Sequence, residues 1–109
     1  PVPLHPGRLR ERGFNQSERI ARVLAAELGL TLSSSLVRRV QRTADQKQLG
    51  AAARRRNLRG AFDAAGCADR RIALVDDVIT TGATAEAVTA ALLAAGAAQV
   101  EVWCLARAL

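Results

Sequence analysis

The sequence is poor in aromatic residues, cysteine and methionine, and each scarcity limits what the chain can be. Only Phe14, Phe62 and Trp103 are aromatic. Alanine and leucine must therefore fill the interior, and a surface for stacking nucleic-acid bases is disfavoured. The two cysteines, Cys67 and Cys104, form no C-x-x-C pair, which argues against a zinc site. We expect both to be packing residues of a reduced, cytoplasmic protein.

Long apolar runs and a start methionine are also missing. No apolar run is long enough to cross a membrane, and no signal-peptide pattern is present. The 109 residues contain no methionine and open on Pro1-Val2-Pro3-Leu4, which is typical of the end of a strand. We therefore expect one domain over residues 1–109, truncated at its N-terminus.

Positive charge is plentiful, and three explanations for it stay open. The formal net charge is +6, and arginines concentrate in segments 8–12 and 54–59. Such clusters are typical of a site for a polyanionic small ligand or of a surface that contacts a nucleic-acid backbone. A solvated, arginine-rich surface without a specific partner is the third explanation.

The most informative stretch runs from Arg71 to Ala85. The short apolar run Ile72–Val75 predicts a strand buried on both sides in a parallel sheet. Asp76 and Asp77 follow at the carboxyl end of this strand, where ligands of open α/β sheets bind. The segment Thr80–Thr84 then supplies small side chains around one glycine, which lets a backbone turn its N–H groups toward an anion.

A helix and a strand are predicted after this loop. Ala85, Val88, Leu92 and Ala95 recur with helical spacing, so the loop opens onto a helix N-terminus that favours an anion. Residues 99–106 alternate as a final strand, which completes a β-α-β unit. Two carboxylates beside an anion-binding turn predict a site for a phosphorylated sugar. An ordinary turn with a solvated Asp pair is the alternative.

The first half of the chain is predicted to contain one helix and several short strands. Asn15 and Glu18 suit a capping-box-like helix start, and Gly29 suits its end. A polar loop covers residues 41–50. The predicted apolar face of the helix is Ile20, Val23, Leu24 and Leu28. Leu36–Val40 is predicted as a strand, Leu30–Leu32 is a candidate short strand, and residues 60–65 are predicted as a strand or a loop around Phe62.

The central stretch resembles a known ligand loop. Val75 to Thr84, V-D-D-V-I-T-T-G-A-T, is similar to the 5-phosphoribosyl-1-pyrophosphate (PRPP) loop of the type I phosphoribosyltransferases. The competing phosphate motifs G-x-x-x-x-G-K-[ST] and G-x-G-x-x-G are absent. The resemblance implies an α/β fold with a parallel-sheet core flanked by helices. It also implies that Asp76 and Asp77 hold the ribose hydroxyls, that Thr80, Thr81, Gly82, Ala83 and Thr84 wrap the 5′-phosphate, and that Mg²⁺ accompanies PRPP.

Flanking residues resemble the competence-protein-F (ComF) branch of this superfamily, which is associated with DNA uptake. The resemblance implies that Arg8 and Arg12 contact the diphosphate and that Lys47 reaches it from a loop that closes over the site. Solvated side chains are the alternative for all three. The matching residues are Pro1–Pro6, Arg12–Gln16, Thr43, Gln46, Leu49, Arg54, Asn57 and Gly60–Phe62.

One departure leaves the acceptor open. Purine phosphoribosyltransferases often have an acid where this chain has Thr80, so no general base for a purine is evident, and the loop is nearer the orotate-type pattern. Two hypotheses follow. In the first, the protein binds PRPP, with or without transfer of the phosphoribosyl group. In the second, it is a non-catalytic competence factor that binds single-stranded DNA or a helicase partner.

Overall fold

The computed structural model describes residues 1–3, 13–40, 60–79 and 81–107 of the chain. These residues confirm the expected α/β class, with helices packed beside a parallel pair of strands. None of the helices among them is long and apolar enough to cross a membrane. The elements in chain order are α1 (Gln16–Leu28), β1 (Val37–Arg39), β2 (Phe62–Ala64), β3 (Arg71–Ile79), α2 (Ala83–Ala94) and β4 (Gln99–Arg107).

The parallel pair consists of β3 and β4, joined by α2 as the predicted β-α-β unit requires. The register places Leu74 opposite Val102 and Ile79 opposite Arg107. Because β4 continues to pair with β3 as far as Ile79, β3 does not end at Val75. Asp76 and Asp77 therefore lie within the strand and not after it, which corrects the predicted boundary.

The core lies between α2 and the strands. Val88 and Leu92 of α2 are essentially inaccessible to solvent and belong to one apolar cluster with Leu74 of β3. This confirms the predicted buried face of the helix. Cys67 belongs to the same cluster, and its thiol donates to the carbonyl oxygen of Leu92 at 3.6 Å. The cluster anchors α2, and with it the loop that precedes the helix.

Strands β1 and β2 form a separate antiparallel pair, with Val37 opposite Ala64. Val37 and Phe62 are buried and extend the core beyond the parallel strands. The Arg39 guanidinium lies 5.5 Å from the centroid of the Phe62 ring, within the range of a cation–π contact. Both predicted strand segments are confirmed, in shorter form.

Helix α1 begins and ends as predicted but buries a different face. The Asn15 side chain accepts a hydrogen bond from the Ser17 backbone, and Gly29 ends the helix at φ 67°. The buried residues are Ser17 and Ala21, whereas Val23 is 61% exposed. The predicted face is therefore wrong for Val23 and Leu28, which are exposed, whereas Ile20 and Leu24 are half-buried. Small side chains one turn apart let the helix lie close to β3.

Two other expectations are also wrong. Residues 30–32 form no strand, because the Leu30 N–H is used to close the end of α1 on the Ala25 carbonyl. Cys104 is exposed and so is not a packing residue. It lies on β4 beyond Val100, the strand residue that packs against the core.

Residues 1–3 lie beside β3 without forming a regular strand. The Val2 N–H donates to the Val75 carbonyl at 2.9 Å, and the Val2 side chain is buried. Asn15 secures this segment because its Nδ2 donates to the Val2 carbonyl at 3.0 Å. The start of α1, the N-terminal segment and β3 are thus joined just ahead of the two acids.

Candidate functional site

The carboxylate pair is held by hydrogen bonds from three directions. Asp76 Oδ1 accepts from the Ser17 hydroxyl at 3.3 Å and from the Asp77 backbone N–H at 2.9 Å. Asp77 Oδ1 accepts from the Val78 N–H at 2.8 Å. These bonds fix one oxygen of each carboxylate. Since an ionised carboxylate has about four acceptor positions, each acid retains capacity for a ligand hydroxyl.

The environment raises the pKa of Asp76. Burial is the largest cause, because it penalises the charged carboxylate, and the adjoining Asp77 carboxyl raises the pKa further. The backbone N–H of Asp77 and the Ser17 hydroxyl oppose this by stabilising the ionised form. A carboxylate whose pKa is perturbed by burial and by a neighbouring charge is common at functional sites.

The predicted phosphate segment forms a tight turn into α2. Gly82 adopts φ 82°, the left-handed conformation that glycine tolerates best, immediately before the helix. The Ala83 N–H donates to the Thr81 hydroxyl at 3.2 Å, and the Glu86 N–H closes the first turn on the Gly82 carbonyl. A helix of this length leaves N–H groups of its first turn without partners inside the helix, so the turn suits an anion.

The structure brings most of the predicted site together. Asp76 and Asp77 stand near the end of β3, and Thr81, Gly82, Ala83 and Thr84 follow at the start of α2. Only three residues separate the end of β3 at Ile79 from the start of α2 at Ala83. This short connection keeps the acids and the helix N-terminus near the carboxyl end of β3. Four predicted contacts lie outside the described residues: Thr80, Arg8, Arg12 and Lys47.

Sequence reasoning missed Ser17. Its side chain is 5% exposed and reaches Asp76 across 59 positions of sequence. The available signal was a serine two residues after a helix cap, where a polar side chain ordinarily faces water. Nothing local indicates that this turn of α1 packs against the acidic end of β3.

A resident metal cluster is not evident in the described part of the chain. No group of three or more His, Cys, Asp or Glu side chains there is arranged to hold a metal ion. The two adjacent carboxylates nevertheless suit Mg²⁺, which commonly binds through one or two carboxylates together with the oxygens of a phosphorylated ligand.

A cavity of about 540 Å³ lies on another part of the molecule. Its walls come from α1, residues 30–34, residues 36–37 and the sheet face that carries Ala73 and Trp103. The lining is mainly apolar and includes neither Asp76 nor Asp77. The carboxylates and the start of α2 therefore lie outside this cavity.

Comparison with known proteins shows relatives over nearly the whole chain. Competence protein F of Haemophilus influenzae is 41% identical over 112 residues, covering 99% of this chain and 49% of that protein. DNA utilization protein YhgH is 44% identical in Salmonella typhi and 43% identical in Escherichia coli K12, in each case over 109 residues that cover 99% of this chain and 48% of the relative. These similarities confirm the resemblance to the ComF branch.

The chain spans about half the length of these curated relatives. No solved structure matches it. The family model described as the phosphoribosyl transferase domain matches residues 13–109, which include both acids and the whole turn into α2. The chain therefore belongs to the phosphoribosyl transferase domain family.

Proposed function

We propose that the protein binds PRPP, or a closely related phosphorylated ribose, at the end of β3. The observation that carries this proposal is the placement of two hydrogen-bonded carboxylates, Asp76 and Asp77, six and five residues ahead of the glycine that precedes a helix N-terminus. One half of the site suits vicinal hydroxyls and the other half suits a phosphate. Membership in the phosphoribosyl transferase domain family supports the same ligand class.

Each half of the site has a role with a physical basis. Asp76 and Asp77 accept hydrogen bonds from the ribose 2′- and 3′-hydroxyls, and bonds to a charged acceptor contribute about 1.5–3 kcal/mol. The segment Thr80–Thr84 surrounds the 5′-phosphate with backbone N–H groups and hydroxyls, helped by the dipole of α2. Arg8, Arg12 and Lys47 remain candidates for the diphosphate, which a guanidinium can bind with two parallel hydrogen bonds.

Mg²⁺ is the cofactor we propose with this ligand. When bound, it would neutralise charge on the diphosphate and so make that group a better leaving group. The carboxylates of Asp76 and Asp77 would hold the ribose hydroxyls of the same ligand. Their contribution is orientation and negative charge next to a ring that becomes cationic as the glycosidic bond breaks.

The site also supports transfer of the phosphoribosyl group to a nucleophile. Transfer passes through an oxocarbenium-like ribose as the diphosphate leaves, so positioning and electrostatics are the main demands on the protein. Thr80 stands where purine enzymes often have an acid, so the loop itself supplies no base for a purine acceptor.

A role in DNA uptake is the second candidate. The relatives carry the names competence protein F and DNA utilization protein, and a net charge of +6 suits contact with a DNA backbone. In this role the chain would bind single-stranded DNA or a helicase partner. The two roles are compatible if the PRPP site regulates or accompanies DNA handling.

Calorimetric titration with PRPP and Mg²⁺ tests the first proposal. Asp77→Asn keeps the size of the side chain but removes its charge, and we expect affinity to fall roughly tenfold or more. Asp63→Asn is the matched control, because Asp63 is an exposed aspartate on β2. Loss of affinity in Asp77→Asn but not in Asp63→Asn supports the assignment. Equal affinity in both variants contradicts it.

Titration with single-stranded DNA at several salt concentrations tests the second candidate. Backbone contacts predict that affinity decreases steeply as salt increases, because counterions are released on binding. A weak, salt-independent signal would contradict a DNA role for this chain. The Asp77→Asn variant serves again as the control, since removing one acidic charge should not weaken DNA binding.

A further inference from the structure

Strand β4 has one edge with which no described strand pairs. Among the residues that the structure describes, β4 pairs with β3 alone, although it is nine residues long. Leu105 is 71% exposed, Val102 is 40% exposed, and Cys104 is also exposed. Proteins usually protect such an edge with a proline, a bulge, several charges or a covering segment. Between residues 99 and 107 there is no proline.

The charges on this edge are arranged symmetrically. Glu101 and Arg107 each lie three positions from Cys104 and project to the same face of the sheet, because side chains alternate along a strand. Among the described residues, Glu101 and Arg107 take part in no ion pair, unlike Glu18 and Arg22, which pair at 3.0 Å on α1. The Glu101 carboxylate accepts only long bonds of 3.4 Å from Gln99 and Trp103.

We propose that β4 pairs antiparallel with β4 of a second copy of this chain, about a two-fold axis at Cys104. In this register Glu101 lies opposite Arg107 of the second copy, and the symmetry forms the same ion pair twice. Opposite charges directly across an antiparallel pair stabilise it, whereas like charges destabilise it. A two-fold axis at Glu101 would place the two glutamates opposite each other, and one at Trp103 would leave Glu101 opposite Leu105.

The apolar residues agree with the same register. Trp103 lies opposite Leu105 of the second copy on the face of the ion pairs, and aromatic–aliphatic pairs of this kind favour strand association. On the other face, Val102 lies opposite Ala106 of the second copy, and the two Cys104 residues face each other. The result is a continuous four-stranded sheet in which both β4 edges are protected.

Charge exchange tests the register directly. Glu101→Arg places two arginines opposite each other at both ends of the interface, and Arg107→Glu does the same with glutamates. We expect either change to weaken dimerisation on the order of tenfold. The double variant restores opposite charges, so its dimer affinity should return toward that of the unmodified chain. Analytical ultracentrifugation over a concentration series measures all four proteins.

Cysteine crosslinking tests the position of the axis. Directly opposed residues in an antiparallel pair have Cα atoms about 4.5–5.5 Å apart, which lies within the range that a disulfide spans. Diamide, which accepts the two electrons and two protons that the thiols lose, should convert the dimer to a covalent one through Cys104. Cys104→Ser is the control, because Cys67 is buried and cannot substitute for it.

Both tests measure association of the chain alone, so their results do not depend on whether the protein binds PRPP. A concentration-dependent dimer that the double variant restores and that Cys104 crosslinks supports the proposal. A chain that stays monomeric at its highest soluble concentration overturns it. A dimer insensitive to the charge changes, or one that diamide does not crosslink, overturns the β4 pairing as its basis.

Discussion

The Ser17 hydroxyl donates a hydrogen bond to Asp76 Oδ1 at 3.3 Å and thereby ties α1 to the acidic end of β3. The same oxygen accepts the backbone N–H of Asp77. Asp76 is thus oriented by one neighbour in sequence and one distant helix. The carboxylate proposed to hold the ribose depends on tertiary packing for its position and for its charge.

The first prediction concerns Ser17. Ser17→Ala removes the hydroxyl donor, which leaves the ionised Asp76 less stabilised and raises its pKa further, since this bond favours the charged form. Alanine retains the helix, because its helix propensity is high. We expect PRPP affinity to fall roughly tenfold, as loss of a bond to a charged group costs about 1.5–3 kcal/mol. Calorimetry measures affinity, and carboxyl ¹³C NMR measures the Asp76 pKa.

Ser35→Ala is the control for this change, because Ser35 is exposed and away from the acids. It should leave both readouts unchanged. An Asp76 titration curve that does not move in Ser17→Ala would contradict the role assigned to the hydroxyl.

The second prediction concerns pH. The raised pKa of Asp76 means that the folded chain holds this proton at pH values where the unfolded chain has released it. The contribution of Asp76 to stability is therefore fully present below the unfolded pKa and is lost as pH rises through the folded pKa. PRPP affinity should instead increase as pH rises, because the ionised carboxylate of Asp76 accepts hydrogen bonds from ribose hydroxyls better than the protonated carboxyl does. Lowering the pH through the raised pKa should therefore weaken binding.

Asp76→Asn separates these two effects. The variant carries no titrating group at this position, so its stability should lose this pH-dependent contribution and exceed that of the parent near neutral pH. Its PRPP affinity should be low at all pH values. Thermal unfolding and calorimetry across the acidic range measure both quantities. Parallel stability profiles for the two proteins would contradict the prediction.

The third prediction concerns Gly82. A Cβ added at this position meets no atom of the described residues within 4 Å, so the cost of Gly82→Ala comes from its φ of 82°. Left-handed backbone costs an alanine about 1–2 kcal/mol. We expect stability to decrease by about that amount and PRPP affinity to fall on the order of tenfold, because the methyl group enters the open space before α2 and strain redirects the N–H groups.

Gly29→Ala provides a close match, because Gly29 has φ 67° and equally open surroundings at the end of α1. Chemical denaturation should show similar losses of stability for the two variants, while calorimetry should show a binding defect for Gly82→Ala alone. Equal PRPP affinities of the two variants would contradict a role for Gly82 in the proposed phosphate site.

The fourth prediction concerns two threonines with different environments. Thr89 Oγ1 is buried in α2 without a hydrogen-bond partner among the described residues, whereas the Thr81 hydroxyl accepts the Ala83 N–H. Thr89→Val should raise stability by about 0.5–1 kcal/mol, because it removes an unsatisfied polar atom at similar volume. Thr81→Val should lower stability by a similar amount. Urea unfolding of the two variants measures both changes in the free energy of unfolding. A lower stability of Thr89→Val would contradict the prediction and indicate that the Thr89 hydroxyl has a hydrogen-bond partner.

Much of the fold could be predicted from local patterns. The buried positions of α2 follow from the helical spacing of Ala85, Val88 and Leu92, and the caps of α1 follow from Asn15 and Gly29. These features depend on neighbours within a few residues, so a single sequence is sufficient to locate them. The order of acids, glycine and helix start is likewise local, which is why the candidate site could be located.

The tertiary structure decided what depends on distant partners. Sequence alone did not indicate that α1 buries Ser17 and Ala21, that β3 continues through Asp76 because β4 extends its ladder, or that Cys104 remains exposed. Each outcome depends on which surface another element covers, and packing overrides local preference in such cases. The sequence by itself determined the chemistry of the loop, namely two acids and an anion-binding turn. Only the tertiary packing brought the Ser17 hydroxyl to Asp76 and partly buried this carboxyl, which raises its pKa.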